Sequence, residues 1–128
     1  MPDMLKPVSV AGAPKPVGPY SSAVVVGNLV FVSGQSGRDP RTDQLAETIE
    51  AQTEQVLTNI ATILEAAGSS LSRVVRCGVF LTDMSEFTRM NAAYARMFGD
   101  HRPARTTVAV SELPGPGLKV EIDAVALV

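Results

Sequence analysis

Apolar and polar positions along the chain change period several times, and each change marks an element. Residues 24–33 read VVVGNLVFVS, two β-branched runs separated by Gly27 and Asn28. This predicts a hairpin closed by a two-residue turn, because both residues tolerate positive φ. Residues 37–45 (GRDPRTDQL) mix glycine, proline, aspartate and threonine, as a turn-rich connection does. From 48 to 67 the period becomes helical: Ile49, Val56, Ile60, Ile63, Leu64 and Ala67 share one face, and Gly68 stands where a left-handed cap is wanted. Alternation returns at 73–82 (RVVRCGVFLT), a strand that sends Val75, Cys77, Val79 and Leu81 to one face and Val74, Arg76, Gly78 and Phe80 to the other.

Asp83, with Glu86 three residues later, has the form of a capping box in which aspartate replaces Ser or Thr. Phe87, Met90, Tyr94, Met97 and Phe98 then form the apolar stripe of a second helix, ended by Gly99. Two extended segments follow, 105–110 and 118–128, separated by the turn-forming Pro114-Gly115-Pro116-Gly117. The order β-β-α-β-α-β-β predicts an α+β fold: a mixed sheet with both helices packed on one face and a right-handed crossover at each strand-helix-strand unit. In the last strand Leu118, Val120, Ile122, Ala124 and Ala126 point one way, and Lys119, Glu121, Asp123, Val125 and Leu127 the other. Two helices cannot cover both faces, so the mixed second face predicts a homo-oligomer whose sheets pack together.

Composition narrows this picture. A chain of 128 residues, 45% apolar and 19% charged, can fill one hydrophobic core but not two, so a single domain over 1–128 is expected. The opening MPDMLKPVSV has no basic segment followed by an apolar core, and no stretch approaches the ~20 apolar residues of a membrane span. The expectation is a soluble cytoplasmic protein with no membrane partner. A net charge of −2 and no run of lysines or arginines leave nothing to neutralise a phosphate backbone, which argues against nucleic acid. One cysteine, Cys77, cannot form an internal disulfide; with one histidine, His101, the usual nitrogen and sulfur ligands of a metal site are too few. The proline-rich stretch 11–19 reads as an ordered loop.

Among chemistry-bearing residues, Arg105 in HRPARTTV (101–108) stands at the start of a strand, in the same alternation class as the small Thr107 and Ala109. Its fixed fork of donors suits a planar carboxylate; the plainer alternative is an ion pair with Glu121 or Asp123. Glu121 lies between Val120 and Ile122, where partial burial would raise its pKa and suit it to proton transfer, the alternative being a solvated carboxylate at an oligomer rim. Asn91 falls on the stripe of the second helix and needs partners for its amide. Tyr20 and Ser33 bound the hairpin. His101 reads as a loop residue and Cys77 as a core one, and no nucleophile has a base at a recognisable spacing.

Taken together, GPYSSA at 18–23, VSGQ at 32–35, EAAGSSLSRVV at 65–75, the Asn91 and Tyr94 pair in FTRMNAAYARMF, PARTTV at 103–108 and VEIDAVA at 120–126 resemble the RidA (YjgF-type) reactive-intermediate deaminases in order and spacing. The resemblance implies a chorismate-mutase-like α+β fold, a homotrimer with clefts between subunits, and cofactor-independent hydrolysis of 2-iminobutanoate or 2-iminopropanoate to 2-oxo acids and ammonia. It implies that Arg105 holds the substrate carboxylate and Glu121 activates water, with Tyr20, Ser33, Gly34, Asn91 and Thr107 lining the pocket. Many family members have cysteine where this chain has Thr107. A trimer that binds 2-oxo acids without turnover is the second reading, and the endoribonuclease activity attached to the family by older naming the third.

Overall fold

The computed structural model describes residues 4–128. The helical period from 48 to 67 becomes α1 (Ile49–Ala66), capped by the Thr48 hydroxyl, which accepts from the Ala51 N–H at 3.1 Å. Gly68 follows at φ +85°, the left-handed stop the sequence asks for. The second stripe becomes α2 (Phe87–Phe98), preceded by a short 3-10 turn. There the capping box resolves differently, because the tighter turn brings the Ser85 N–H rather than that of Glu86 to the Asp83 carboxylate, at 2.9 Å.

The strands are β1 (Lys6–Val8), β2 (Ala23–Val26), β3 (Leu29–Gln35), β4 (Val74–Leu81), β5 (Ala104–Ala109) and β6 (Val120–Leu127), in the sheet order β1-β2-β3-β6-β4-β5. The sheet is mixed: β4 and β5 run parallel, and the other pairings are antiparallel. Only Gly27 of the hairpin turn takes a positive φ, at 59°, and Asn28 does not use its tolerance for it. The alternation pattern does not reveal β1, three residues with a proline, which pair along the outer side of β2. No helix among the described residues is long and apolar enough to cross a membrane.

Both helices bury their stripes on one face of the sheet. Val56, Leu57, Ile60, Ile63 and Leu64 of α1 meet Val120, Ile122, Ala124 and Ala126 of β6 in one core with Met90, Tyr94 and Phe98 of α2. One strand departs from the alternation given above. Val74 is buried and Val75 is 47% exposed, because the β4–β6 register shifts between Val74 and Arg76; this bulge puts Val74, not Val75, in the core with Cys77, Val79 and Leu81. The opposite face has no helix over it, and Phe31, Val108 and Leu127 stand exposed there.

Polar residues on the buried face of α1 tie down the loops. Gln52, fully buried, donates to the Ala46 and Gly117 carbonyls at 2.8 and 3.0 Å and accepts from the Lys119 N–H at 2.9 Å. Asn59 donates to the Ser36 and Arg38 carbonyls. Leucine at 52 would fill the same space and strand one donor and two acceptors, each costing about 1–3 kcal/mol. Gln52→Leu is expected to lower unfolding stability by about 3 kcal/mol or more, as measured by urea denaturation; a loss below about 1 kcal/mol would contradict this anchoring role.

Candidate functional site

Arg105 is carried by β5, the edge strand beside β4. Its register partner is Cys77, fully buried under the helices, so the Arg105 side chain leaves the sheet on the helix-covered face and meets α2. Its guanidinium lies over two rings, 4.8 Å from the centre of Tyr94 and 5.7 Å from that of Phe87. Among the described residues it forms no ion pair, and the plainer alternative of a bridge to Glu121 or Asp123 does not occur. Aromatic faces fix a guanidinium without occupying its N–H groups, so the fork of donors is oriented and unspent. Burial, reinforced by the neighbouring Cys77 thiol, pushes the Tyr94 phenol well above its ordinary range, which keeps that ring neutral.

Two polar atoms near this cation, Asn91 Oδ1 and Thr107 Oγ1, are buried without a hydrogen-bond partner among the described residues, and the Tyr94 hydroxyl has only the weakly bonding Cys77 thiol beside it. Asn91 and Tyr94 lie one turn apart on α2, and Thr107 follows Arg105 on the same side of β5. The sequence requires partners for Asn91, but the described residues supply none to its oxygen. Unsatisfied buried polar groups are costly, and here they gather beside an unpaired cation.

Glu121 occupies a second place. Its register partner is Phe80, and it projects from the face of the sheet that no helix covers. Two residues of β3, Ser33 and Gly34, lie opposite the single Asp123 of β6, because the β3–β6 register shifts between Val32 and Gln35. The glycine in this bulge is required by close approach, since a Cβ at Gly34 would lie 2.9 Å from the Glu121 carboxyl carbon. Around the carboxylate opens a cleft of about 600 Å³ whose walls include Tyr20, Ser22, Gln35, Arg38 and Leu118. Half-burial there, with the nearby Asp123 charge, raises the Glu121 pKa above the usual glutamate value.

The residues singled out in the sequence therefore form two groups. Arg105, Thr107 and Asn91 lie on the helix-covered side, and Tyr20, Gly34 and Glu121 on the open side, with the sheet between them. Ser33 borders the second group, but its hydroxyl donates to the Ser21 carbonyl at 2.7 Å. His101 and Cys77 keep their ordinary readings: the His101 ring bonds the Val74 carbonyl at 2.7 Å, and Cys77 is a buried free thiol. Sequence reasoning missed Gln52, whose signal is a polar residue at helical spacing between Ile49 and Val56. It also missed Gly78, which a partner 45 residues away makes significant.

The family model described as endoribonuclease L-PSP matches residues 10–128. A RutC family protein of Pyrococcus horikoshii is 48% identical over 96% of this chain and 98% of its own length. The 2-iminobutanoate/2-iminopropanoate deaminase of Salmonella typhimurium is 39% identical over 97% of this chain and 98% of its own. The crystal structure of E. coli TdcF with bound serine superposes with a TM-score of 0.90 at 34% identity, covering 95% of this chain and 98% of that one.

Proposed function

Since the chain belongs to the endoribonuclease L-PSP family, in which its RidA-like motifs place it, we propose that it is a cofactor-independent imine deaminase acting on small 2-imino acids. The observation that carries this reading is the Arg105 guanidinium, held by rings and unpaired with any carboxylate among the described residues, beside the unsatisfied Asn91 and Thr107 oxygens. A carboxylate accepts from such a fork in two places at once, and the hydroxyl of Thr107 can donate to the same group. Two relatives support the substrate class: one carries an imine deaminase name, and another holds serine, whose carboxylate sits beside an amine-bearing carbon.

In the proposed reaction Arg105 fixes the carboxylate of the imine, and Glu121 aims a water at the adjacent carbon, takes its proton as the C–O bond forms and passes that proton to the imine nitrogen. The resulting carbinolamine collapses to a 2-oxo acid and ammonia. Uncatalysed imine hydrolysis is already easy, so positioning plus one proton transfer, the latter worth ~10²–10⁴-fold, accounts for the catalysis required. Within one chain the sheet separates Arg105 from Glu121, so the complete site needs the arginine half of one copy against the glutamate half of another. The open apolar face supports such an assembly, a homotrimer in the reading drawn from the resemblance.

The test is ammonia release from 2-iminobutanoate and 2-iminopropanoate generated in place by a pyridoxal-dependent dehydratase. Rates above the uncatalysed background are expected for both. Background rates together with measurable 2-oxo acid binding would replace the enzyme by a binding trimer. The ribonuclease implied by the family's description finds little support in an acidic chain with a single histidine and no basic stripe.

A further inference from the structure

Glu121 does not stand alone on its face of β6. Asp123, two residues on, points the same way about 7 Å along the strand. It is anchored, because its Oδ1 accepts the Gly78 N–H of the adjacent β4 at 2.8 Å. Gly78 admits this contact, since a Cβ there would lie 2.6 Å from the same oxygen. The Glu121 carboxylate has no hydrogen bond or ion pair among the described residues. One strand face thus carries two carboxylates in unequal settings, one tied to a backbone donor and one untied, and such pairs divide structural from proton-transferring roles.

The other groups around Glu121 are accounted for. On β3, Ser33 and Gly34 bring no charge, and on β4 Phe80 is apolar. Lys119, two residues back, has its ammonium 3.9 Å from Glu86. The cleft adds Tyr20, Lys15, Arg38 and Asp43, with the Arg38 guanidinium donating to the Asp43 carbonyl. Within the chain Asp123 is the charged group that bears on Glu121, acting in the same direction as burial, while the Arg105 that the proposed assembly brings from a second copy acts against both.

We propose that Asp123 is a positioning residue for the reaction: anchored by the Gly78 N–H, it sets the proton affinity of Glu121 and with it the pH range in which Glu121 works as a base. This rests on the base role given to Glu121 above. It also explains a glycine in the middle of a strand, where packing alone would favour a side chain.

Asp123→Asn is nearly isosteric and keeps an oxygen for the Gly78 N–H while removing the charge. The Glu121 carboxyl is followed by ¹³C NMR titration of glutamate-labelled protein, its resonance assigned by its loss in Glu121→Gln. The midpoint is expected to fall by on the order of one pH unit in Asp123→Asn. The acid limb of the ammonia-release profile should move down with it, because the base must be ionised to act. Should that variant fail to fold, Asp123→Ser removes the same charge and is read the same way. An unchanged midpoint in the variant titrated overturns the proposal. Full turnover by Glu121→Gln would instead overturn the base role, an outcome the titration does not depend on.

Discussion

Ammonia release by an Arg105→Ala variant should fall to the uncatalysed rate, and its affinity for a 2-oxo acid product should drop by roughly 10²–10⁴-fold. The size follows from the contacts at stake. A bidentate guanidinium–carboxylate pair comprises two charge-assisted hydrogen bonds, each worth about 1.5–3 kcal/mol where one partner is shielded from water. The other cation near Tyr94, Arg102, is held by the Gly99 and His101 carbonyls, and the Tyr94 and Phe87 rings would then face the substrate without the guanidinium that lies over them. Arg105→Lys restores charge but not the fork, so it should recover only part of the affinity. Calorimetric titration with 2-oxobutanoate checks binding separately from turnover. Unimpaired ammonia release from Arg105→Ala would sink the carboxylate clamp outright.

Glu121→Gln should separate the two functions that Arg105→Ala removes together. Glutamine fills the same volume beside Gly34 but cannot take a proton, so turnover should fall about 10²-fold or more while 2-oxo acid affinity changes little. The pair of variants also tests how the site is assembled. Arg105 and Glu121 leave opposite faces of one sheet, so a site built from two copies should reappear when the two inactive proteins are unfolded together and refolded as a mixture. Some junctions in the mixed assemblies then bring a native arginine against a native glutamate, and ammonia release should return to a sizeable fraction of the wild-type rate. A mixture as inactive as its components would show that each copy must supply both residues to its own site.

How much of the structure is legible in the sequence depends on the range of the interaction. Helix α1 agrees with its periodicity to within a residue at each end, because a stripe, the Thr48 cap and the Gly68 stop all act within a few residues. The alternation of β6 into a buried and a half-buried row is equally local and holds through the strand. The bulges are different: whether Val74 or Val75 enters the core, and where Ser33 and Gly34 bow out, depends on β6, some fifty to ninety residues further along. The same holds for the site. Arg105 and Glu121 stood out as residue types in unusual settings, but the sheet that divides them follows from strand order, which no periodicity contains. The Asp123–Gly78 contact was hidden because a mid-strand glycine means little until the strand beside it is known.

The sheet order has a further consequence for how this protein is made. β6 occupies the slot between β3 and β4, so before residues 120–127 are in place the remaining strands form two separate groups, β1-β2-β3 and β4-β5. A nascent chain on the ribosome would display the pairing edges of β3 and β4 and the apolar stripes of both helices until residues 120–127 emerge. Both edges are closed by the same eight residues, which follow β4 by nearly forty positions, and this makes the emerging polypeptide a natural client for chaperones that shield unpaired strands.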